Sequence, residues 1–215
     1  MANDIDASEY VHNFNNGWSS GCNCLTGTFD GRGHTIDGIT IRQGGLFAVI
    51  SAGTVKNVAF TNVKFSALDD NGEATGNHLY VLATLLNHAT TITDVYVEID
   101  AWAETAGMYT AALFNKVNNT KWGKPTVSNV VVVTPAATGS ETSIQPALIT
   151  ATNITFTNVY VISPVTGTEI TGVTQYSDVD TFKANVTTST LTGFNSYWDL
   201  TGDYPIIATA KSYLA

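Results

Sequence analysis

The chain is poor in cysteine and in charge. Of its 215 residues, two are cysteines and 13% are charged, with 9 Lys and Arg against 18 Asp and Glu and a net charge of −9. Binding along a phosphate backbone requires clustered Lys and Arg side chains on the protein surface, and this chain has few. We therefore expect no nucleic-acid binding. It also lacks the ~18-residue apolar run that a membrane-spanning helix needs. Residues 1–6 contain neither a basic region nor an apolar core, so we expect no signal peptide and no membrane insertion.

The two cysteines, Cys22 and Cys24, are separated by one residue. A disulfide between residues so close in the chain is strained. A zinc site would need two further ligands at metal spacing, and the flanking His12 and His34 are each ten residues away. We therefore expect two free thiols in a loop, no metal and no cofactor.

One short pattern recurs five times along the chain. It reads Thr, an apolar residue, any residue, a small amide or turn former, and then apolar residues at alternate positions. The copies begin at Thr35, Thr54, Thr91, Thr126 and Thr155. A second pattern, a small residue followed by Leu and a large apolar residue, precedes four copies at residues 45–47, 84–86, 112–114 and 147–149. Aligned strands with loops of variable length are typical of a solenoid.

Alternation along each copy predicts two buried columns and one polar column. The buried columns are Ile39, Val58, Val95, Val130, Val159 and Ile41, Phe60, Val97, Val132, Val161. The polar column is Asn57, Asp94, Asn129 and Asn158, opened by Gly38. Stacked amides can hydrogen-bond one another from repeat to repeat. A β-sandwich with recurrent strands is the alternative, although a sandwich does not require the same polar residue at the same place in each strand.

Both ends differ from the repeats. Asp6 and Glu9 form a capping signature that predicts a short helix near residues 7–15. Ser177 and Asp180 predict a second helix near residues 178–184, and residues 191–207 are interpreted as short strands closing the last coil. We expect one domain over residues 1–215: an N-terminal cap and first turn (1–34), repeat coils (35–162) and a C-terminal cap (163–215).

Residues 25–36, Leu-Thr-Gly-Thr-Phe-Asp-Gly-Arg-Gly-His-Thr-Ile, together with Gly-Leu-Phe at 45–47 and Thr-Val-Lys-Asn-Val at 54–58, resemble bacterial and phage proteins with GLUG-type repeats. The tail is similar to the ending seen after such repeats, with Trp198-Asp199-Leu200 followed by Tyr204-Pro205-Ile206. The resemblance implies an all-β, right-handed parallel β-helix of about five coils. It also implies a surface adhesin or virion protein whose motif residues are structural.

Few carboxylates suggest catalysis. Glu98 and Asp100 lie two apart on a predicted strand, so both are expected to point outward near Glu104, as paired acids do in polysaccharide hydrolases. The alternative is a solvated face. Asp30 and His34 bracket a turn and are interpreted as backbone partners rather than an acid–base pair. The acidic run at 69–73 is interpreted as a solvated turn because its spacing does not fit a calcium loop. We predict no catalytic residues.

Aromatic residues in the loops are the better indication of a binding site. Trp102, Tyr109 and Trp122 flank the third and fourth repeats, with Lys121 and Lys124 beside Trp122. Exposed aromatic rings stack on sugar faces and form hot spots of protein contacts. The alternative is that these rings fold back onto the solenoid wall.

The outward positions of the later repeats form an apolar stripe. Its residues are Tyr96, Val131, Val133, Tyr160 and Ile162. Contiguous exposed apolar area usually marks an interface, and closed symmetry buries one patch on every subunit. We predict a homo-oligomer, with three copies favoured by the resemblance. The alternative is that the loop at 100–110 or the tail from Leu191 covers the stripe within one chain.

These observations predict a non-enzymatic display module: a phage fibre, decoration or receptor-binding protein, or a bacterial adhesin domain. Its partners are expected to be a cell-surface glycan or other virion proteins, and its location the virion or the cell surface. The alternative is a polysaccharide-degrading enzyme on the same scaffold.

Overall fold

A computed structural model describes residues 1–13, 23–66, 68, 71, 79–101, 110–135, 144–145, 153–164, 169–187, 190–202 and 205–208. Over these residues the chain is mainly β, with parallel sheets and one helix. Within the same ranges, no helix is long and apolar enough to cross a membrane.

The described residues form eighteen strands and a helix. The strands of the first half are β1 (Ile5–Asp6), β2 (Val11–Asn13), β3 (Cys24–Leu25), β4 (Thr28–Asp37), β5 (Thr40–Gln43), β6 (Phe47–Ser51), β7 (Thr54–Phe65), β8 (Leu79–Tyr80) and β9 (Ala83–Asn87). Those of the second half are β10 (Thr91–Ala101), β11 (Thr110–Ala111), β12 (Phe114–Asn119), β13 (Thr126–Val133), β14 (Ile144–Gln145), β15 (Thr155–Ile162), β16 (Val173–Tyr176), β17 (Trp198–Asp199) and β18 (Ile206–Ile207). The helix α1 spans Val179–Asn185.

Three parallel sheets contain nearly all of these strands. Sheet 1 has the order β1-β4-β7-β10-β13-β15-β16, with β2 and β5 paired beside it. Sheet 2 has the order β12-β9-β6-β3, and sheet 3 has the order β14-β11-β8. From β8 to β13 the chain visits sheet 3, sheet 2 and sheet 1 in turn, twice. Parallel pairing of this kind is not the arrangement of an antiparallel β-sandwich.

The four later copies of the Thr pattern stack in the predicted register. Thr54, Thr91, Thr126 and Thr155 are mutual neighbours across β7, β10, β13 and β15. Val58, Val95, Val130 and Val159 follow in the same way, each at most 1% exposed. The next inward column, Phe60, Val97, Val132 and Val161, is equally buried. Branched and aromatic side chains thus fill the space between the sheets.

The first copy has a different register from the predicted one. Thr28, not Thr35, pairs with Thr54, and His34, not Ile39, pairs with Val58. Three residues between Asp30 and His34 have no partner in β7, and Arg32 and Gly33 adopt positive φ there. This irregularity carries the strand past the turn expected between Asp30 and His34. A Cβ on Gly31 would clash with the Asn57 carbonyl oxygen and the Val58 side chain, so the strand can pass only with glycine there.

The Leu pattern is also shifted in one repeat. Phe47 and Phe114 both pair with Ala83, and Leu86 pairs with Ile50 and Val117. The equivalent of Gly45-Leu46-Phe47 is therefore Val81-Leu82-Ala83 rather than residues 84–86. Three leucines lie within five residues here, and the local pattern alone does not select among them. The copy predicted at 147–149 lies outside the described residues.

The N-terminal helix prediction is wrong for residues 7–13. Asp6 does accept from the backbone of Ser8 (3.0 Å), but it closes a turn, in which Tyr10 N donates to Ala7 O. β1 then pairs with β4 and β2 with β5, so the chain extends along the sheet edge instead of coiling. Residues 14 and 15 lie outside the described part of the chain. Pairing of β1 and β2 with neighbouring strands gives more backbone N–H and C=O groups a hydrogen-bond partner than a single helical turn would.

The C-terminal helix is confirmed, with a different cap. Asp178, not Ser177, is the N-cap residue, and its Oδ1 accepts from Thr181 N at 2.7 Å. Ser177 Oγ donates to the same carboxylate, and the pKa of Asp178 is lowered first by that hydrogen bond and then by those from Thr181. Further on, β17 and β18 form an antiparallel pair, as expected for short terminal strands.

We expect Val130→Asp to unfold the chain at room temperature, because an unpaired carboxylate in this fully buried column costs several kcal/mol. Thr126→Asp is the matched control: it places the same group on the same strand at an exposed position. Circular dichroism during urea titration measures both. Equal unfolding midpoints for the two variants would contradict the inward orientation of Val130.

Candidate binding site

Trp122 is the most exposed large apolar side chain in the described part of the chain, at 70%. Its ring centroid lies 4.4 Å from that of His88, with an interplanar angle of 39°. The Lys121 ammonium lies 5.6 Å from the indole centroid, within cation–π distance. Trp122 does not fold back onto the sheets. Trp102 and Tyr109, predicted to join it, lie outside the described residues.

The loop that carries Trp122 is short and anchored. It connects β12, which ends at Asn119, to β13, which begins at Thr126. Gly123 N donates to Thr120 O at 3.1 Å and Thr126 N donates to Thr90 O at 2.9 Å. Gly123 has φ +118°, and a Cβ there would lie 2.9 Å from Ala89 Cβ. Trp122 is therefore presented by a turn that packs against the preceding repeat.

His88 lies in a turn of that preceding repeat. Its φ is +56°, and Thr90 closes the turn by donating from its backbone N to His88 O (2.9 Å) and from Oγ1 to Asn87 O (2.7 Å). Thr90 Oγ1 also lies 2.9 Å from Ile50 O, which ties this turn to the repeat before it. The imidazole that contacts Trp122 thus has a fixed backbone beneath it.

The stretch of sequence that contains Trp122 is basic, although the chain as a whole is acidic. Lys116, Lys121 and Lys124 are all exposed, and residues 105–140 contain no Asp or Glu. Elsewhere, Lys56 pairs with Asp30 at 3.4 Å and Lys64 with Asp100 at 3.7 Å. Beyond Lys121 and Lys124, the acid-free stretch is a second signal of this site that the sequence itself contains. We define the Trp122 patch as His88, Lys121, Trp122 and Lys124.

The predicted outward pair of acids does not form. Glu98 is 2% exposed and accepts a hydrogen bond from Tyr96 Oη at 2.7 Å. Asp100 is exposed and lies 3.7 Å from Lys64 Nζ. The register of β10 against β7 shifts between Val97 and Ala101, so the two acids are not equivalent positions of a regular strand. Glu104 lies outside the described residues.

Asp30 and His34 also have separate partners. Asp30 accepts from Arg32 N at 2.9 Å and from Asn57 Nδ2 at 3.0 Å, whereas His34 Nδ1 lies 3.1 Å from Asp4 Oδ1. Burial alone would raise the pKa of Asp30, but the bonds from Asn57 and Arg32 and the charge of Lys56 lower it overall. The interpretation of the two residues as backbone partners is confirmed for Asp30, whereas His34 contacts the carboxylate of Asp4 instead.

The two cysteines are not free thiols. Cys24 is disulfide-bonded, and the only other cysteine in the sequence is Cys22, which lies outside the described residues. The prediction of a free thiol is therefore wrong for Cys24. Of the acidic run at 69–73, only Asn71 is described. Among the described residues, no group of three or more His, Cys, Asp or Glu could hold a metal ion.

The apolar stripe predicted as an interface is covered by the same chain. Tyr96, Val131, Val133 and Ile162 are at most 2% exposed, and Tyr160 is half-buried. They pack in one cluster with Phe182 of α1, Trp198 and Ile207. Tyr160 also contacts Phe182 and Phe194 through its ring. The intrachain alternative for the tail is therefore correct, and these residues do not form a free oligomer interface.

The polar ladder also holds this C-terminal segment, a role that sequence analysis missed. Asn57, Asp94, Asn129 and Asn158 all have φ of 52–53°. Side-chain hydrogen bonds join the first two repeats and the last three: Asn57 Nδ2 donates to Asp30 Oδ1, Asn129 Nδ2 to Asp94 Oδ1 (3.3 Å) and Asn158 Nδ2 to Asn129 Oδ1 (3.1 Å). Asp30, not Gly38, thus opens the ladder.

Four further hydrogen bonds connect the ladder to residues 192–198. Asn195 Nδ2 donates to Asn57 Oδ1 at 2.8 Å, and Trp198 Nε1 donates to Asp94 Oδ1 at 3.0 Å. Asn129 Nδ2 donates to Gly193 O and Asn158 Nδ2 to Thr192 O. The four ladder residues therefore act as a docking line for the segment that buries the stripe.

Comparison with models of known protein families, with curated proteins and with solved structures finds no match to this chain.

We expect Asn129→Ala to lower the free energy of unfolding by about 2–3 kcal/mol, because it removes ladder and docking hydrogen bonds and puts a Cβ residue without a stabilising amide at positive φ. Asn129→Gly should cost about 0.5–1 kcal/mol less, since glycine tolerates that φ. Asn118→Ala, at an exposed position of β12, should change stability by less than about 0.5 kcal/mol. Chemical denaturation measures all three, and three equal values would refute the ladder's role.

We expect Val131→Lys to destabilise the folded monomer by several kcal/mol, because it buries a cation under the C-terminal segment. Asn118→Lys adds the same charge at an exposed site. Light scattering combined with denaturation distinguishes the outcomes. If Val131→Lys dissociated an oligomer without lowering the stability of the subunit, the stripe would be an interface after all.

Proposed function

We propose that the chain is a right-handed parallel β-helix that acts as a non-enzymatic display module, presenting the Trp122 patch to a glycan. The observation that carries the proposal is the 70% exposure of an indole on an anchored loop at the side of an in-register stack of strands. An exposed ring on a rigid support offers stacking area at little cost in conformational entropy.

The strand connections support the β-helix. Each strand of sheet 1 from β7 to β15 pairs in parallel with the next only after the chain has passed through strands of other sheets. Crossover connections between parallel strands of one sheet are right-handed in about 98% of cases. The cyclic order of sheet 3, sheet 2 and sheet 1 is what successive coils of such a helix produce.

The motifs behind the GLUG-type resemblance have structural contacts, which supports a scaffold role for them. Asn57 of the Thr-Val-Lys-Asn motif belongs to the ladder. Gly33 of the opening motif has φ +83°, and a Cβ there would lie 2.5 Å from the ring of Tyr197, next to the Trp198 motif. Trp198 in turn donates to Asp94. The N-terminal and C-terminal motifs thus meet on one side of the stack.

The resemblance places such a module on a phage virion, as a fibre, decoration or receptor-binding protein, or on a bacterial surface as an adhesin domain. It also favours a homotrimer, for which the covered stripe gives no support. A glycan depolymerase would need a pair of acids facing one substrate, and Glu98 and Asp100 do not supply it, since one is buried and the other binds Lys64. We therefore propose binding without turnover.

The test is to screen a panel of bacterial glycans for binding by wild type and by Trp122→Ala. We expect Trp122→Ala to weaken binding roughly tenfold through loss of the stacking surface, with an unchanged melting temperature. Tyr10→Ala is the matched control, since Tyr10 is 55% exposed on a different part of the chain, beside β2.

Reducing-sugar release is measured on the same panel. No release by wild type is the expected result. Release that requires this chain would overturn the non-enzymatic proposal, and wild type that binds none of the glycans would overturn glycan display.

A further inference from the structure

We infer that the glycan bound at the Trp122 patch is anionic, its sugars carrying carboxylate groups. This inference rests on the proposed function and narrows it, because it names the ligand class that the patch is built to select. Three observations support it: the lysines near Trp122, the exposed indole ring, and the anchored loop that carries them.

The charge distribution is the first step. Three of the nine basic residues lie at positions 116, 121 and 124, in the acid-free stretch 105–140 of a chain with net charge −9. Lys116 and Lys124 form no ion pair with any carboxylate among the described residues. Lys56 and Lys64, by contrast, are each paired with an aspartate. An anionic ligand is repelled by most of this acidic chain and attracted at this patch.

The ring supplies the second step. The apolar face of a pyranose stacks on an indole, and most of the Trp122 surface is accessible. The Lys121 ammonium lies 5.6 Å from the indole centroid, so a sugar stacked on the ring brings a ring carboxylate within reach of that cation. Ammonium-to-carboxylate hydrogen bonds are stronger than neutral ones. Stacking and charge thus act on the same residue of the glycan.

Support for the patch is the third step. The His88 ring packs against the indole, and Gly123 fits closely against Ala89. Thr126 N is bonded to Thr90 O, directly after the patch. A loop held in this way loses little conformational freedom on binding, which raises affinity for a weakly interacting sugar chain.

Single-stranded nucleic acid is the other polymer that combines stacking with negative charge. Binding it requires a basic groove that follows the backbone over several nucleotides. This chain has 18 acidic residues against 9 basic ones, and the loop that carries Trp122 offers two lysines, Lys121 and Lys124. The arrangement therefore favours a sugar polymer with spaced charges, and nucleic acid becomes an outcome of the test.

The experiment uses a matched pair of ligands. Uronic-acid oligosaccharides of several linkages are compared with the same oligosaccharides after their carboxyl groups have been reduced to alcohols. A sulfated oligosaccharide, a neutral glucan and a single-stranded oligonucleotide complete the set. Binding is measured by calorimetry at low and at physiological salt with wild type, Trp122→Ala, and the double variant Lys121→Gln, Lys124→Gln.

The double variant Lys64→Gln, Lys183→Gln makes the same change in net charge away from the patch. We expect at least one uronic-acid ligand to bind, and its reduced form to bind roughly five- to tenfold more weakly. The double variant at the patch should lose about the same factor and most of the salt dependence. The control variant should match wild type, and Trp122→Ala should weaken both forms of the ligand. Melting temperatures of all variants check folding.

Several outcomes would overturn the inference. Equal binding of the uronic-acid oligosaccharides and their carboxyl-reduced counterparts would contradict selection for carboxylate groups while leaving glycan display intact. Binding of the neutral glucan alone would have the same meaning. Preference for the sulfated ligand over every uronic-acid ligand would replace carboxylate by sulfate. Trp122-dependent binding of the oligonucleotide in preference to the sugars would assign the patch to nucleic acid. Absence of binding to every sugar, including the panel of bacterial glycans, would overturn the proposed function as well.

Discussion

In-register stacking of each repeat on the one before it is the constraint on which the rest of the structure depends. Parallel pairing places Thr on Thr and Val on Val from β7 to β15. A residue type at one position therefore meets the same type above and below. Apolar columns close the interior, and each added repeat buries the face of its neighbour, which no single repeat can do alone. A slip of one residue would turn every inward side chain outward.

Identical stacking also creates the polar ladder. Asparagine and aspartate are the residues that tolerate positive φ best after glycine, and the amide side chains can hydrogen-bond one another. The ladder residues all adopt φ near +52° and link successive repeats through their side chains. The ladder side chains also bond to residues 192–198, which therefore bind along the line; Asp94 Oδ1 accepts from both Asn129 and Trp198.

The C-terminal segment turns the outward face of sheet 1 from a solvent-exposed surface into a buried one. Tyr96, Val131 and Ile162 would be an aggregation-prone surface on a bare stack, and here they form a second apolar core with α1 and the terminal strands. Glu98 is carried into this core and bonds to the Tyr96 hydroxyl. Trp122, Lys121 and Lys124 lie instead on a loop where all three remain exposed.

The sequence alone determined the repeat, the inward columns of the four later copies and the ladder from Asn57 to Asn158, because these depend on local alternation and on residue types recurring at fixed offsets. It also determined the C-terminal helix to within one residue at each end. The tertiary structure decided those features in which a local signal competes with contacts between residues far apart in the chain. The capping signature at Asp6 lost to strand pairing with residues 36–37 and 40–43, and the first repeat took its register from the irregularity at residues 31–33. Whether the stripe faced water or the tail depended on contacts between residues as far apart as Asp94 and Trp198. No local pattern encodes such a contact, because burial of an outward side chain is set by whichever segment returns to cover it.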